Sequence, residues 1–168
     1  GSVGYALCEK LHAAGAELIV TDINQATLNK AATEFDATVV GLDEIYSQDV
    51  DVFSPCARGA AINDETISQL KASIVAGCAN NQLAESRHDQ LLLEKGILYA
   101  PDYVINAGGI INVALEIYPE PYCAESATKL VENIYNTLMT VFETAAANNM
   151  PTGIIADEMA RSIIAKGA

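Results

Sequence analysis

The chain has 168 residues, of which 51% are hydrophobic and 18% are charged. This length and composition indicate a globular domain and exclude a disordered chain. The formal net charge of −13 at pH 7 repels nucleic-acid phosphates and offers no basic patch to anionic lipid, so we expect no nucleic acid and no membrane as a partner. The apolar runs are also shorter than a membrane span.

Four cysteines and two histidines bear on the kind of site that the chain can carry. The cysteines form no C-x-x-C pair, which predicts reduced thiols in a cytoplasmic protein. His12 and His88 are predicted to be surface residues of helices, with no carboxylate or thiol at ligand spacing. We therefore expect no metal site. The chain has no G-x-S-x-G turn either, so a serine hydrolase is not expected.

The first half of the chain alternates helical and strand patterns. A helix is predicted over 3–14, where Gly15 ends it, and another follows Asn24 as its N-cap. Strands are predicted within ELIVTD, TVV, DVFSPC, SIVAGCA and ILYAPD. Short apolar strands joined by helices are typical of a parallel sheet covered on both faces. The apolar stripe that we expect the first helix to bury consists of Val3, Ala6, Leu7, Leu11 and Ala14.

The last third of the chain shows only helical patterns. Apolar residues recur at helical spacing over 125–147 and 153–165, and Pro151 separates these two helices. The predicted organisation is therefore an α/β domain over 1–107, followed by a C-terminal helical segment over 108–168 that packs on it.

The opening residues match part of a nucleotide-binding turn. Gly1 and Gly4 have the spacing of the second and third glycines of G-x-G-x-x-G, which lets a pyrophosphate approach the N-terminus of the following helix. Asp22 then ends the next strand, where a carboxylate can accept the ribose hydroxyls of NAD and repel the 2′-phosphate of NADP. Two alternatives stay open: Gly1 and Ser2 are the remnant of an expression tag, or Asp22 is a loop acid or helix cap.

Two further clusters follow predicted strands. Asn80 and Asn81 come after SIVAGCA, and Asn106 comes after ILYAPD. Ligands of doubly wound sheets bind beyond the carboxyl ends of the strands, so these amides are placed to reach a cofactor. Alternatively, the first pair caps the next helix. Ile110 and Val113 share one face of a helix, where they line a pocket or belong to the core.

The segments GSVGYALCEKLHAAGAELIVTDIN, FSPCARGAAIND, IVAGCANNQLAE and ILYAPDYVINAGGIINV resemble the cofactor domain of the leucine, valine and phenylalanine dehydrogenases. The resemblance extends over essentially the whole chain. It implies a Rossmann-like, doubly wound, mostly parallel α/β sheet that lacks its first strand here and is followed by C-terminal helices. It also implies that the chain starts within the glycine turn and that an N-terminal substrate domain is absent from it.

The resemblance implies an NAD-dependent enzyme that reversibly deaminates L-amino acids to 2-oxo acids and ammonia, in a homo-oligomer. The branched aliphatic residues at the expected pocket favour leucine, valine or isoleucine as substrate. By position, cofactor binding is carried over to Gly1, Ser2, Val3, Gly4, Asp22, Cys56, Ala57 and Asn80, and substrate binding to Asn106, Ile110 and Val113.

The chain departs from the family pattern in two ways. The family's catalytic lysine and aspartate belong to the substrate domain, so we expect no catalytic residue in this chain. Arg58 stands where the family usually has an aliphatic residue, and its role is open. Three alternatives also remain: a phenylalanine dehydrogenase, a glutamate dehydrogenase, and a non-catalytic NAD-binding module.

Overall fold

The computed structural model describes residues 1–117 and 122–167. In the first part, helices and short strands alternate as the sequence predicts. The elements there are α1 (Ser2–Ala13), β1 (Ile19–Val20), α2 (Gln25–Phe35), β2 (Thr38–Val39), a 3-10 turn (Ile45–Ser47), β3 (Val52–Phe53), α3 (Asp64–Gln69), β4 (Ile74–Val75), α4 (Arg87–Glu94) and β5 (Leu98–Tyr99). The helices that follow are α5 (Asp102–Ile105), α6 (Gly108–Ile117), α7 (Ala124–Asn148) and α8 (Thr152–Ala165).

Side-chain caps fix where the helices between the strands begin. The Asn24 side chain accepts hydrogen bonds from the N–H groups of Ala26 and Thr27, as its predicted N-cap role requires. Asn63 begins α3 with a reciprocal capping box that involves Thr66. Gly15, at φ +86°, follows the end of α1 in a conformation that favours glycine.

The five strands form two separate parallel sheets. β1 pairs with β2, and β4 lies between β3 and β5, with Ile74 aligned to Val52 and to Leu98. The expectation of a parallel arrangement is confirmed. In the described residues no ladder joins β1 to β3, however, so the strands divide into a pair and a triplet.

Three clusters of buried side chains hold these layers together. The largest packs α3 and α4 against the β3–β5 sheet, where Ile62, Val75 and Leu92 are completely buried. A second cluster joins α2 to β1 and contains Phe35. A third holds the C-terminal helices together around Val141.

The predicted orientation of α1 is wrong. Val3 is 61% exposed and Leu11 is 37% exposed, and no residue of α1 is fully buried. The helix instead directs Tyr5 at Phe35 of α2, with 4.9 Å between the ring centroids, and Cys8 packs against the same cluster. The sequence offers two stripes at helical spacing, and the contact with Phe35 selects the less apolar one.

The prediction for the two histidines is half right. His12 is exposed on α1, whereas His88 on α4 is only 1% exposed. Its Nδ1 atom accepts a hydrogen bond of 2.9 Å from the Glu85 N–H. The apolar neighbours of α4 in the core bury the ring, and the backbone hydrogen bond satisfies one of its nitrogens.

Hydrogen bonds join the C-terminal helices to the α/β part. The Thr152 hydroxyl at the start of α8 donates to the Tyr99 carbonyl over 2.7 Å, and the Gly153 N–H donates to Asp89 Oδ2 of α4 over 2.8 Å. Asp89 is 6% exposed, so its carboxylate caps α8 from within the structure. Helix α8 is also in direct contact with β5. The boundary between 107 and 108 stays a prediction.

The long helix α7 raises the question of membrane insertion. Across residues 1–117 and 122–167, no helix combines the length and the apolar character needed to cross a membrane.

Candidate cofactor and substrate site

The start of α1 lies beside the end of β1. The Gly1 nitrogen lies 2.8 Å from Asp22 Oδ2, and the Asn24 N–H donates to Asp22 Oδ1 over 2.9 Å. Asp22 therefore lies within hydrogen-bond distance of the first residue of the predicted turn, and the cap of α2 belongs to Asn24 instead.

The first turn of α1 offers backbone donors to an anion. The first hydrogen bond inside the helix runs from the Tyr5 N–H to the Gly1 carbonyl. The preceding N–H groups, those of Ser2, Val3 and Gly4, lie in the helical turn whose donors have no acceptor within the helix. The positions predicted to hold a pyrophosphate thus have the backbone geometry for it, and their role remains a prediction.

Gly4 and Cys56 are neighbours in space. A Cβ atom added to Gly4 would lie 3.1 Å from the Cys56 Cβ atom, which is tighter than ordinary contact. The close approach leaves little room for a side chain at this position of the turn. Two predicted cofactor residues from different parts of the chain therefore meet.

Further thiols lie around Cys56. Burial, and then the hydrogen bond with Cys56, raises the pKa of Cys78 to about 12. Burial and the nearby Cys56 also raise the pKa of Cys8. The Cys56 thiol lies 3.4 Å from the Ser54 hydroxyl. All four cysteines are free in the structure.

Asn80 and Asn106 come together at the carboxyl ends of β4 and β5. The Asn106 Nδ2 group donates to Asn80 Oδ1 over 2.6 Å, and the Ala79 carbonyl lies 3.5 Å from the same Nδ2 atom. Because a carbonyl oxygen only accepts hydrogen bonds, its position supports this orientation of the Asn106 amide. The two asparagines that the sequence analysis selected from separate motifs thus form one amide pair.

The hydrogen bond between the two amides leaves one donor and one acceptor for a ligand. Among the described residues, neither the Asn80 Nδ2 group nor the Asn106 Oδ1 atom has a hydrogen-bond partner in the structure. Asn80 is exposed and Asn106 is half-buried. The pair can therefore offer an N–H group and an oxygen side by side to a polar ligand.

The loop after β3 lies against the loop that carries Asn80. The Ala60 N–H donates to the Asn81 carbonyl over 2.7 Å, and Ala60 and Asn81 adopt φ values of 57° and 52°. These left-handed conformations are uncommon for residues with a side chain, and no sequence pattern predicted them. Ala57 and Arg58 are exposed at the start of this loop.

Ile110 and Val113 lie on an open face of α6. They are 67% and 48% exposed, so the alternative that they are core residues is wrong. The predicted helix is present, and both side chains lie on its accessible surface. Their role as walls of a substrate pocket remains a prediction.

A buried contact between Asp102 and Gln82 at the same sheet edge was not predicted from the sequence. Asp102 Oδ2 accepts a 2.8 Å hydrogen bond from the Gln82 N–H, and both side chains are at most 8% exposed. The available signal was a carboxylate directly after the proline that ends a strand, at the ligand-binding edge of the sheet. We missed it because its partner is 20 residues away in the sequence.

A second cluster surrounds His88, where the sequence analysis saw no carboxylate. Potential ligand atoms of Asp64, Glu85 and His88 lie within 4.8 Å of one another. The Arg87 guanidinium already binds both carboxylates, with Nη1 donating to Asp64 over 2.7 Å and Nε donating to Glu85 over 2.9 Å. Because His88 Nδ1 accepts from the backbone, its neutral form carries the proton on Nε2, the atom that a metal would need. The chemistry of this cluster therefore favours an ion-pair network.

Residues 12–161 match the Glutamate/Leucine/Phenylalanine/Valine dehydrogenase family. The chain belongs to this family. The sequence resemblance is therefore confirmed, and so is a fold of the Rossmann type. Family members are oxidoreductases that act on amino acids, and the amide pair at the strand ends lies in a region that the family match covers.

Individual relatives show how much of a family member the chain represents. It is 53% identical over 164 residues to a leucine dehydrogenase of Bacillus subtilis, covering 98% of this chain and 44% of the relative. It is 49% identical to an L-tryptophan dehydrogenase of Nostoc punctiforme, covering 98% of this chain and 46% of the relative. A crystal structure of L-tryptophan dehydrogenase from that organism superposes with a TM-score of 0.94 at 47% identity, over 99% of this chain and 49% of the other. The chain thus spans less than half the length of these relatives.

Proposed function

We propose that this chain is the cofactor domain of an NAD-dependent L-amino-acid dehydrogenase that acts on leucine, valine and isoleucine. The enzyme oxidises the amino acid to an imine, which water converts to a 2-oxo acid and ammonia. NAD supplies the acceptor for the hydride that leaves the α-carbon. The residues of this chain bind and orient the two reactants, and a general base comes from a part of the enzyme outside this chain.

The amide pair is the observation that carries this proposal. A protein that only binds NAD needs donors for the cofactor and has no use for a second amide directed at a substrate. Asn80 is proposed to contact the nicotinamide half through its Nδ2 group, while Asn106 holds the substrate beside it. The 2.6 Å hydrogen bond between them couples the two positions, which favours a hydride transfer that needs both reactants in one geometry.

The other end of the cofactor is assigned to α1 and β1. The N–H groups of Ser2, Val3 and Gly4 bind the pyrophosphate, together with the positive end of the helix dipole. Asp22 accepts the ribose hydroxyls of the adenosine. Gly1, Cys56 and Ala57 complete the wall of this groove.

The side-chain pocket distinguishes the proposed substrates from the alternatives. Ile110 and Val113 offer a branched aliphatic surface, and neither side chain can pair with the distal carboxylate of glutamate. Leucine dehydrogenases at 53% identity support this assignment. A phenylalanine dehydrogenase of Lysinibacillus sphaericus at 46% identity and the L-tryptophan dehydrogenase at 49% identity make an aromatic substrate the second candidate.

A substrate survey with the complete enzyme tests the proposal. Initial rates would be measured by NADH absorbance with leucine, valine, isoleucine, phenylalanine, tryptophan and glutamate, each with NAD and with NADP. We expect the branched amino acids to rank first and glutamate to be nearly inactive. Dominant activity with an aromatic amino acid would select the second candidate, and no activity with any amino acid would favour the binding module.

The assembly and location of the enzyme are part of the same proposal. Large apolar side chains are exposed on the C-terminal helices, among them Tyr135 at 68% and Ile164 at 73%. Such residues support a homo-oligomer in which a second copy covers them. The four free thiols support a reducing, cytoplasmic location.

A further inference from the structure

One buried carboxylate is bonded to the segments that carry both members of the amide pair. Asp102 is the first residue of α5, and its main-chain carbonyl accepts the N–H of Asn106 over 2.9 Å. Its Oδ2 atom accepts the N–H of Gln82, two residues after Asn80. Its Oδ1 atom accepts the N–H of Tyr103 over 2.8 Å. Asp102 therefore fixes the end of the Asn80 loop relative to the helical turn that ends in Asn106.

The Gln82 side chain holds the same loop from inside. It is completely buried, and its Nε2 group donates to the Gly77 carbonyl over 2.8 Å and to the Ala79 carbonyl over 3.0 Å. These bonds close the turn that contains Asn80. Asn81 in this turn has a φ of 52°, a conformation that the surrounding hydrogen bonds must maintain.

The position of Asp102 is itself fixed by its neighbours. Its own N–H donates to the Tyr99 hydroxyl over 3.2 Å, and the side chain is 8% exposed. A carboxylate can accept from two N–H groups at once, whereas an amide in its place would turn an NH₂ group toward one of them. Removing the carboxylate would leave the Gln82 N–H without its acceptor in a buried site.

We propose that Asp102, together with Gln82, is a positioning residue that sets the relative placement of Asn80 and Asn106 for hydride transfer. This inference rests on the proposed function, because it assumes that the pair holds cofactor and substrate. Neither Asp102 nor Gln82 contacts a reactant in this arrangement. They act through the backbone segments that carry the two asparagines, where a displacement of about 1 Å can cost about 100-fold in rate.

A double-mutant cycle in the complete enzyme tests the inference. We expect Asp102→Asn to lower kcat/KM for the amino acid by about 10- to 100-fold. In an enzyme that already carries Asn106→Ala, the same substitution should cost less than about 2-fold, because the relative placement of the two amides no longer matters once one of them is gone. Full additivity of the two losses would overturn the inference, since a purely structural role does not depend on Asn106.

Two further variants separate this role from a loss of stability. Asp89→Asn is the matched control, because Asp89 is also buried and also accepts a backbone N–H, but at α8. It should lower the melting temperature and leave kcat/KM within about 2-fold. If Asp102→Asn does not fold, Gln82→Leu takes its place, since it removes the side-chain bonds within the turn and keeps the Gln82 N–H for Asp102. It should show the same dependence on Asn106.

The two proposals fail in different ways. If the wild-type enzyme oxidises amino acids and both the Asp102 and Gln82 variants retain full kcat/KM, only the positioning role is overturned. If the wild-type enzyme oxidises no amino acid while NADH fluorescence shows that it binds the cofactor, the proposed function itself is overturned.

Discussion

Asp22 illustrates how one carboxylate can decide which cofactor is used. It lies two residues after β1, within hydrogen-bond distance of Gly1 at the start of α1. A negative charge there accepts ribose hydroxyls and repels a 2′-phosphate. We expect Asp22→Ser combined with Ile23→Arg to shift the ratio of kcat/KM for NAD over NADP by at least about 10-fold toward NADP, or about 1.4 kcal/mol.

The control for this prediction removes a charge elsewhere. Asp43 is an exposed acid in the turn after β2, and Asp43→Ser lowers the negative charge as Asp22→Ser does. It should leave the cofactor ratio unchanged. Equal rates of the unaltered enzyme with NAD and NADP would show that Asp22 does not discriminate between them.

Ile110 and Val113 give a prediction about substrate size. Both are exposed on α6, so shortening either one removes little packing within this chain. We expect Ile110→Ala and Val113→Ala to improve phenylalanine over leucine by about 10-fold in kcat/KM, because each change widens the proposed pocket by two or three carbon atoms. The exposed Ile163→Ala on α8 is the matched control. An unchanged phenylalanine-to-leucine ratio in both α6 variants would remove these residues from the pocket.

At the scale of elements, local sequence patterns predicted most of the strands, helix caps and helix breaks. The five strands, the cap at Asn24 and the break at Pro151 follow from apolar runs and capping chemistry, and all are present. The face of α1 was wrong, because Tyr5 and Cys8 also recur at helical spacing and only the distant Phe35 decides between the two stripes. The contact between Asp102 and Gln82 was missed for the same reason, because a local sequence pattern does not indicate a partner 20 residues away.

The attachment of α8 depends on a cap from another element. The Pro151 side chain accepts no hydrogen bond, and the first turn is capped by Asp89 of α4 instead. We expect Asp89→Ala to destabilise the complete enzyme by about 1–3 kcal/mol, because the Gly153 N–H loses its acceptor. Denaturant unfolding measures this loss. Lys129→Ala, which breaks an exposed pair with Glu125 on α7, should cost less than about 0.5 kcal/mol. Equal losses in the two variants would contradict the capping role.

At the scale of the whole molecule, the chain exposes more surface than its size requires. Its accessible surface is 10457 Å², whereas a compact monomer of 17.8 kDa would expose about 8,000 Å². The excess agrees with the exposure of α1, in which no residue is fully buried, and of Val52 in β3, which is 46% exposed. It also agrees with two sheets that no ladder joins in the described residues.

The chain by itself is therefore expected to be poorly stable. β1 and β3 each have one edge without a partner strand in the described residues, and the resemblance predicts that one strand lies between them. Each ladder hydrogen bond is worth roughly 0.5–1.5 kcal/mol net, so losing several removes much of the ~5–15 kcal/mol of a typical domain.

Residues 1–168 expressed alone should consequently melt without cooperativity or aggregate, bind NADH weakly and oxidise no amino acid. The complete enzyme, under the same conditions, should melt cooperatively. Thermal unfolding, NADH fluorescence titration and a leucine assay on both proteins make the comparison. A monomeric chain that melts cooperatively and binds NADH with micromolar affinity would show that the α1 turn and the two sheets hold their geometry without a strand between β1 and β3.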